Sequence, residues 1–250
     1  LTPPHGLSEL VGAHWPWRGL GEGPLPALLI ALTVVTGLVD AVSYVALGHV
    51  FVANMTGNVV FLGFAIAGAH GLSASASLLA LAAFFAGALG GGRLAVRIGA
   101  HRGRQLVAGA GAGGSLLVVA AIVAAILGQP VSGSARYALI VPLALAMGAQ
   151  NATARRLAVP DLTTTVLTLT LTGVAADSRL ARGSGGRPGR RLIAVSAMLA
   201  GAVVGALLVL RVDLALPIAL AALLAVGVSI TASSLAVRPD ASWAQAPAKG

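Results

Sequence analysis

Six long apolar stretches govern what this chain can fold into. Leu25–Leu47, Leu78–Ile98, Gln105–Leu127 and Leu192–Leu210 each reach the length of about 20 mostly apolar residues that a bilayer-crossing helix needs. A fifth, Leu214–Val237, qualifies with Pro217 in its first turn, where a missing N–H costs little. The sixth, Tyr137–Leu157, is apolar as far as Met147 and then turns polar. Inside a bilayer every backbone N–H and C=O must be paired within the chain, so such stretches are helices. Composition leaves no competing class. Hydrophobic residues make up 57% of the chain and charged residues 9%, against roughly 25% charged in soluble proteins. Mean hydropathy is +0.93. A soluble globular domain and a disordered chain are both excluded.

Two further apolar segments, Val59–Ala69 and the Thr-studded Thr163–Ala176, are too short for a crossing and read as broken or re-entrant helices. Charge supports that choice. The chain has 16 basic and 7 acidic residues, and its arginines gather at Arg93, Arg97, Arg102, Arg104 and again at Arg179, Arg182, Arg187, Arg190, Arg191. Arginine-rich short loops face the cytoplasm. Both clusters do so only if the short segments add no net crossing. The expectation is therefore an all-α polytopic membrane protein of about six net crossings, with both termini cytoplasmic. Residues 1–24 read as a flexible leader, 25–237 as a single transmembrane domain, and 238–250 as a tail. The lipid bilayer explains the basic balance better than nucleic acid does, and aromatics at 4% offer few stacking platforms for bases.

The halves, about 25–130 and 136–237, repeat one another. Gly37, Asp40 and Ala41 align with Gly148, Asn151 and Ala152 at a shift of 111 residues. Met55–Asn58 aligns with Leu167–Thr170 at 112, and Ala86-Gly87-Ala88 with Ala200-Gly201-Ala202 at 114. Three crossings per half make an inverted repeat, as in many secondary transporters. The small residues Ala86, Gly87, Gly90, Gly91, Gly92, Gly201 and Gly205 read as a packing surface where backbones approach closely.

Asp40 is the one acid inside a clear span, where a charge costs about 2.5–3.5 kcal/mol on insertion scales. It therefore reads as a candidate coupling or binding group, with an ion pair or a helix cap as the structural alternative. Tyr44 lies one turn away, within reach of a hydrogen bond to it. Asn54, Thr56 and Asn58 precede the first short segment as a helix start. Gln150, Asn151 and Arg155 sit at the matching place in the second half. Arg155 or Arg156 is expected either to meet Asp40 or to snorkel to water from a helix end. Asp161 or a threonine can cap the second short helix, and Thr164, Thr168 and Thr172 share one face of it. Unpaired N–H groups at half-helix starts attract anions. No metal-ligand or nucleophile motif and no phosphate loop is found, and Cys is absent. No cofactor and no enzymatic activity are expected.

Val39–Tyr44, Gly48, Phe51–Asn58 with its Asn-Met-Thr-Gly-Asn string, Gln150–Ala152, Arg155–Leu157 and Asp161–Thr168 resemble the YoaK-like family of bacterial membrane proteins, a UPF-type transmembrane group of unknown function. Leu169 stands where that pattern has a small residue. The resemblance implies an integral inner-membrane protein and no particular substrate. The functional expectation is a secondary transporter or facilitator of a small polar solute, anionic or proton-coupled, with a central site between the two halves. A channel and a structural or regulatory membrane protein are the alternatives, and homo-oligomerisation stays open.

Overall fold

The computed structural model describes residues 22–131, 133–159, 162, 167–177, 188–238 and 241–245. The expected leader up to residue 21, Asp161, Thr164, and the arginines at 179, 182 and 187 lie outside the described residues. So do residues 246–250 of the tail.

The described chain is helical. In order it forms α1 (Leu25–Ala46), α2 (Met55–Ile66), α3 (Ala74–Ile98), α4 (Arg102–Leu127), α5 (Tyr137–Leu157), α6 (Leu167–Ala176), α7 (Pro188–Arg211) and α8 (Ala215–Ala236). Six of these are long and apolar enough to cross a membrane; α2 and α6 are not. Pro217 falls in the first turn of α8, as its place in the sequence requires.

Both ends of the described chain lie on one face of the bundle, called the terminal face below. Gly23 sits against the Trp243 ring, and Gly103 at the start of α4 sits against Ala236 and Ala244. Arg102 Nη2 donates to the Leu157 carbonyl at the end of α5, at 2.7 Å. On the far face, the Ser75 hydroxyl bonds the Tyr137 hydroxyl at 2.7 Å, and Gly48 faces the Arg136 guanidinium.

The largest contacts are α3 on α5, α4 on α8 and α1 on α7; α2 lies on α3 and α6 on α7. Glycines carry two of these contacts. Gly37 of α1 abuts the Met198 carbonyl and the Ala202 N–H of α7. Gly201 abuts the Val34 carbonyl, and Gly205 abuts Leu38 and Ala41. In the other pair, Gly148 of α5 abuts the Phe84 carbonyl and the Ala88 N–H. Gly87 abuts the Leu145 carbonyl, and Gly91 abuts Ala149 and Ala152. A side chain at any of these positions would force the backbones apart. Close backbone approach supplies the van der Waals contact that replaces the hydrophobic drive within lipid. The expected small-residue surface is thus split. Gly87 and Gly91 are packed, Ala86 is exposed, and Gly90 and Gly92 have no heavy atom within 4 Å to meet an added Cβ.

Candidate functional site

The site is built around a chain reversal. α1 ends at Ala46, and Asp40 lies six residues before that end, about 9 Å along the helix. The following loop turns back along α1. Its backbone N–H groups at Val52 and Ala53 donate to Asp40 Oδ1 at 3.0 and 2.8 Å. α2 starts two residues later. It then runs back toward the far face, where α3 begins, so it adds no net crossing. The returning loop carries orphan donors that no water reaches, and a carboxylate is the strongest acceptor available to them.

Asp40 is 5% exposed, and its second oxygen, Oδ2, is buried with no hydrogen-bond partner among the described residues. Asn58 is buried one turn into α2 and holds the loop from its other side. Its Oδ1 accepts the Phe51 N–H at 2.9 Å, and its Nδ2 donates to the Phe51 carbonyl at 2.6 Å. Phe51 in turn lies over Gly57, where any Cβ would strike its ring.

A second polar layer joins the halves. Gln150 is buried and donates through Nε2 to the Leu32 carbonyl at 3.1 Å and to Thr36 Oγ1 at 3.0 Å. Thr36 sits one turn before Asp40 on the same face of α1. Thr33, Thr36, Asp40 and Ser43 form a buried polar column along α1. The hydroxyls of Thr33, Thr36 and Ser43 bond carbonyls of their own helix, which makes them cheap to bury. On α5, Thr153 does the same toward Ala149 and fills the space left by Gly109.

Several sequence expectations shift. Tyr44 does not join Asp40. Its ring is 38% exposed and belongs to an aromatic group, stacked on Phe51 at 5.2 Å and edge-on to His49 at 5.1 Å. The Tyr44 ring is held instead among His49, Phe51 and Phe61, outside the buried column that contains Asp40. Arg155 and Arg156 do not meet Asp40 either. Both are exposed in the last turn of α5 at the terminal face. Asp40 lies in the far-face half of α1, on the order of 20 Å away along the bundle. Asn54 occupies the N-cap position of α2, yet its side chain makes no cap bond. Asn54, Thr56 and Thr168 are exposed. Asn151 Nδ2 donates to the Met147 carbonyl at 2.9 Å. Among the described residues the principal helix contacts do not include α2 against α6. No group of three or more metal-ligating side chains occurs among the described residues.

Thr36 and the Val52 and Ala53 N–H groups were not legible as site members. The one available signal was the position of Thr36 four residues before the acid.

Residues 28–231 match a family described as "Protein of unknown function (DUF1275)". The chain belongs to this family. It is also 32% identical over 150 residues to the "UPF0700 transmembrane protein YoaK" of Bacillus subtilis (strain 168), covering 60% of this chain. The matched stretch spans 65% of that relative's length. No solved structure matches. The resemblance read from the motifs is met, and with it a multi-pass membrane protein.

Proposed function

We propose that this family member is a secondary transporter or facilitator of a small polar solute, anionic or carried with a proton, built on an inverted repeat. The observation that carries the reading is the Asp40 carboxyl. One oxygen holds the re-entrant loop, and the other is buried and unpartnered among the described residues of a membrane bundle. Such an acid is expensive to bury in a membrane bundle, which marks it as a functional group by default. A proton or a polar solute is what that oxygen is suited to receive.

The repeat is supported by contacts as well as by sequence. Advancing α1 residues by 111 gives α5 residues, and lowering α7 residues by 114 gives α3 residues. Under that exchange Gly37 on Met198 becomes Gly148 on Phe84, and Gly201 on Val34 becomes Gly87 on Leu145. Gly205 on Leu38 and Ala41 becomes Gly91 on Ala149 and Ala152. The helix pairs α1 with α8, and α5 with α4, exchange in the same way. With α1 and α5 running in opposite directions, this is the relation expected of an inverted repeat, the architecture that supports alternating access.

Orientation follows from charge. Among the described residues the terminal face carries nine arginines, Arg93, Arg97, Arg102, Arg104, Arg155, Arg156, Arg190, Arg191 and Arg238, and the far face carries Arg136 and Arg211. That bias favours a cytoplasmic terminal face and a protein of the bacterial inner membrane.

The test is flux through the full chain in proteoliposomes loaded with a pH-sensitive dye and challenged with a panel of small polar solutes and anions. Solute entry accompanied by proton movement is the expected result. Current without proton movement would favour a channel. No flux, with polar-site variants altering stability alone, would favour a structural role.

A further inference from the structure

The outer surface of α3 has a feature that transport does not use. Phe85, Leu89, Arg93 and Arg97 follow one another at four-residue intervals, with Val96 beside them, so they form one stripe. The stripe faces away from α5, which packs instead against Gly87 and Gly91. Phe85, Leu89 and Val96 are 71%, 44% and 63% exposed, and both arginines are exposed. From Phe85 to Arg97 is about 18 Å of helix, enough to lie along much of one acyl chain.

The guanidinium end of the stripe joins a wider basic patch. α3 and α5 run parallel here, so Arg155 and Arg156 at the end of α5 lie beside the end of α3. Arg102 is tied to Leu157 at 2.7 Å, and Arg104 is exposed in the same first turn of α4. These are six arginines at the ends of three adjoining helices. The acids described on this face, Glu22 and Asp177, are engaged with Arg190 and Arg191 respectively.

We infer that the terminal ends of α3, α4 and α5 hold an anionic phospholipid, with its acyl chain along Phe85 and Leu89 and its phosphate at Arg93 and Arg97. A guanidinium binds phosphate in a bidentate fork, which suits arginine better than lysine to this task. The apolar stripe leading directly into the arginines favours a lipid over a free anion. A lipid with net negative charge is favoured over a zwitterionic one because Glu22, the described acid that neighbours Arg102, is buried and paired with Arg190, which leaves it unsuited to a headgroup amine. Basic groups near a membrane surface each contribute roughly fivefold to binding of anionic lipid.

The experiment purifies the full chain from mixed phosphatidylcholine–phosphatidylglycerol nanodiscs into mild detergent and counts retained lipid by native mass spectrometry. Phosphatidylglycerol should be retained in preference to phosphatidylcholine, and raised salt should release it. The double variant Arg93→Gln/Arg97→Gln should retain at least tenfold less, whereas Arg211→Gln on the far face should retain as much as the wild type. Arg93→Lys/Arg97→Lys should fall between. If the glutamine variant fails to insert, the salt release and lipid preference of the wild-type chain decide the matter. Equal retention of the two lipids, an equal loss with Arg211→Gln, or full displacement by inorganic phosphate would each overturn the proposal, the last by indicating a free-anion site.

Discussion

Ala53 donates its backbone N–H to Asp40 Oδ1 at 2.8 Å, thirteen residues back along the chain. With the Val52 N–H beside it, this contact turns the loop after α1 back into the bundle. Removing the carboxyl orphans both donors, at about 1–3 kcal/mol each. Asp40→Ala should therefore lower thermal stability in detergent by several degrees. Asp40→Asn keeps an acceptor oxygen at the same place and should unfold within a degree or two of wild type. Equal losses in the two variants would show that charge, and not the acceptor, holds the loop.

Asn58 fixes Phe51 through two bonds of opposite sense, so its variants should separate them. Asn58→Asp preserves the acceptor but leaves the Phe51 carbonyl unpaired; Asn58→Ala releases both groups. The absence of native cysteine makes thiol labelling clean. A cysteine placed at Val52 should be labelled slowly in the wild-type background, faster in the Asn58→Asp background and fastest in Asn58→Ala. Unchanged labelling would mean that Asp40 alone sets the loop.

Glycines with equivalent packed contacts should respond alike. Gly37→Ala and Gly148→Ala place a Cβ against equivalent carbonyls, those of Met198 and Phe84. Overpacking of this kind costs typically about 1–3 kcal/mol. The two variants should destabilise by similar amounts, as should Gly87→Ala and Gly201→Ala. Gly90→Ala, which meets nothing within 4 Å, should be neutral or mildly stabilising. Thermal unfolding of the five variants checks the pattern, and a loss in Gly90→Ala matching the others would contradict it.

Gln150 bridges α5 to α1 through Thr36 and the Leu32 carbonyl. Both partners keep another bond when it is removed, because Thr36 also bonds Leu32. Gln150→Leu should cost only about 0.6–1.7 kcal/mol, the range for hydrogen bonds between membrane helices. Gln150→Glu should cost more, since it brings an acid into a buried layer where no described cation is placed to receive it. Denaturation in mixed micelles would rank the two, and the reverse order would remove Gln150 from the buried layer.

The helices were legible because a bilayer leaves apolar length little freedom of meaning. The short α2 was legible for the same reason in reverse, being too brief to cross. The glycine pairing was half legible: the 111- and 114-residue shifts read from sequence also relate the packed contacts, but which glycines face lipid was not. Gly90 and Gly91 look alike in sequence and point to different surroundings. Asp40 stood out as a costly acid, yet its partners did not, because backbone N–H groups have no sequence signature. Tyr44 and Arg155 were drawn toward Asp40 by helical spacing and repeat alignment. Neither device shows that Asp40 and Arg155 lie toward opposite faces of the bundle.

The central claim is that Asp40 does two things, one with each oxygen. It is tested by reconstituting Asp40→Asn beside wild type and measuring proton movement under the panel of small polar solutes and anions that tests the proposed transport. The expected result is a variant of near-wild-type stability whose solute flux no longer moves protons. Proton-coupled flux at the wild-type rate in Asp40→Asn would contradict it, leaving the carboxyl as a loop anchor alone.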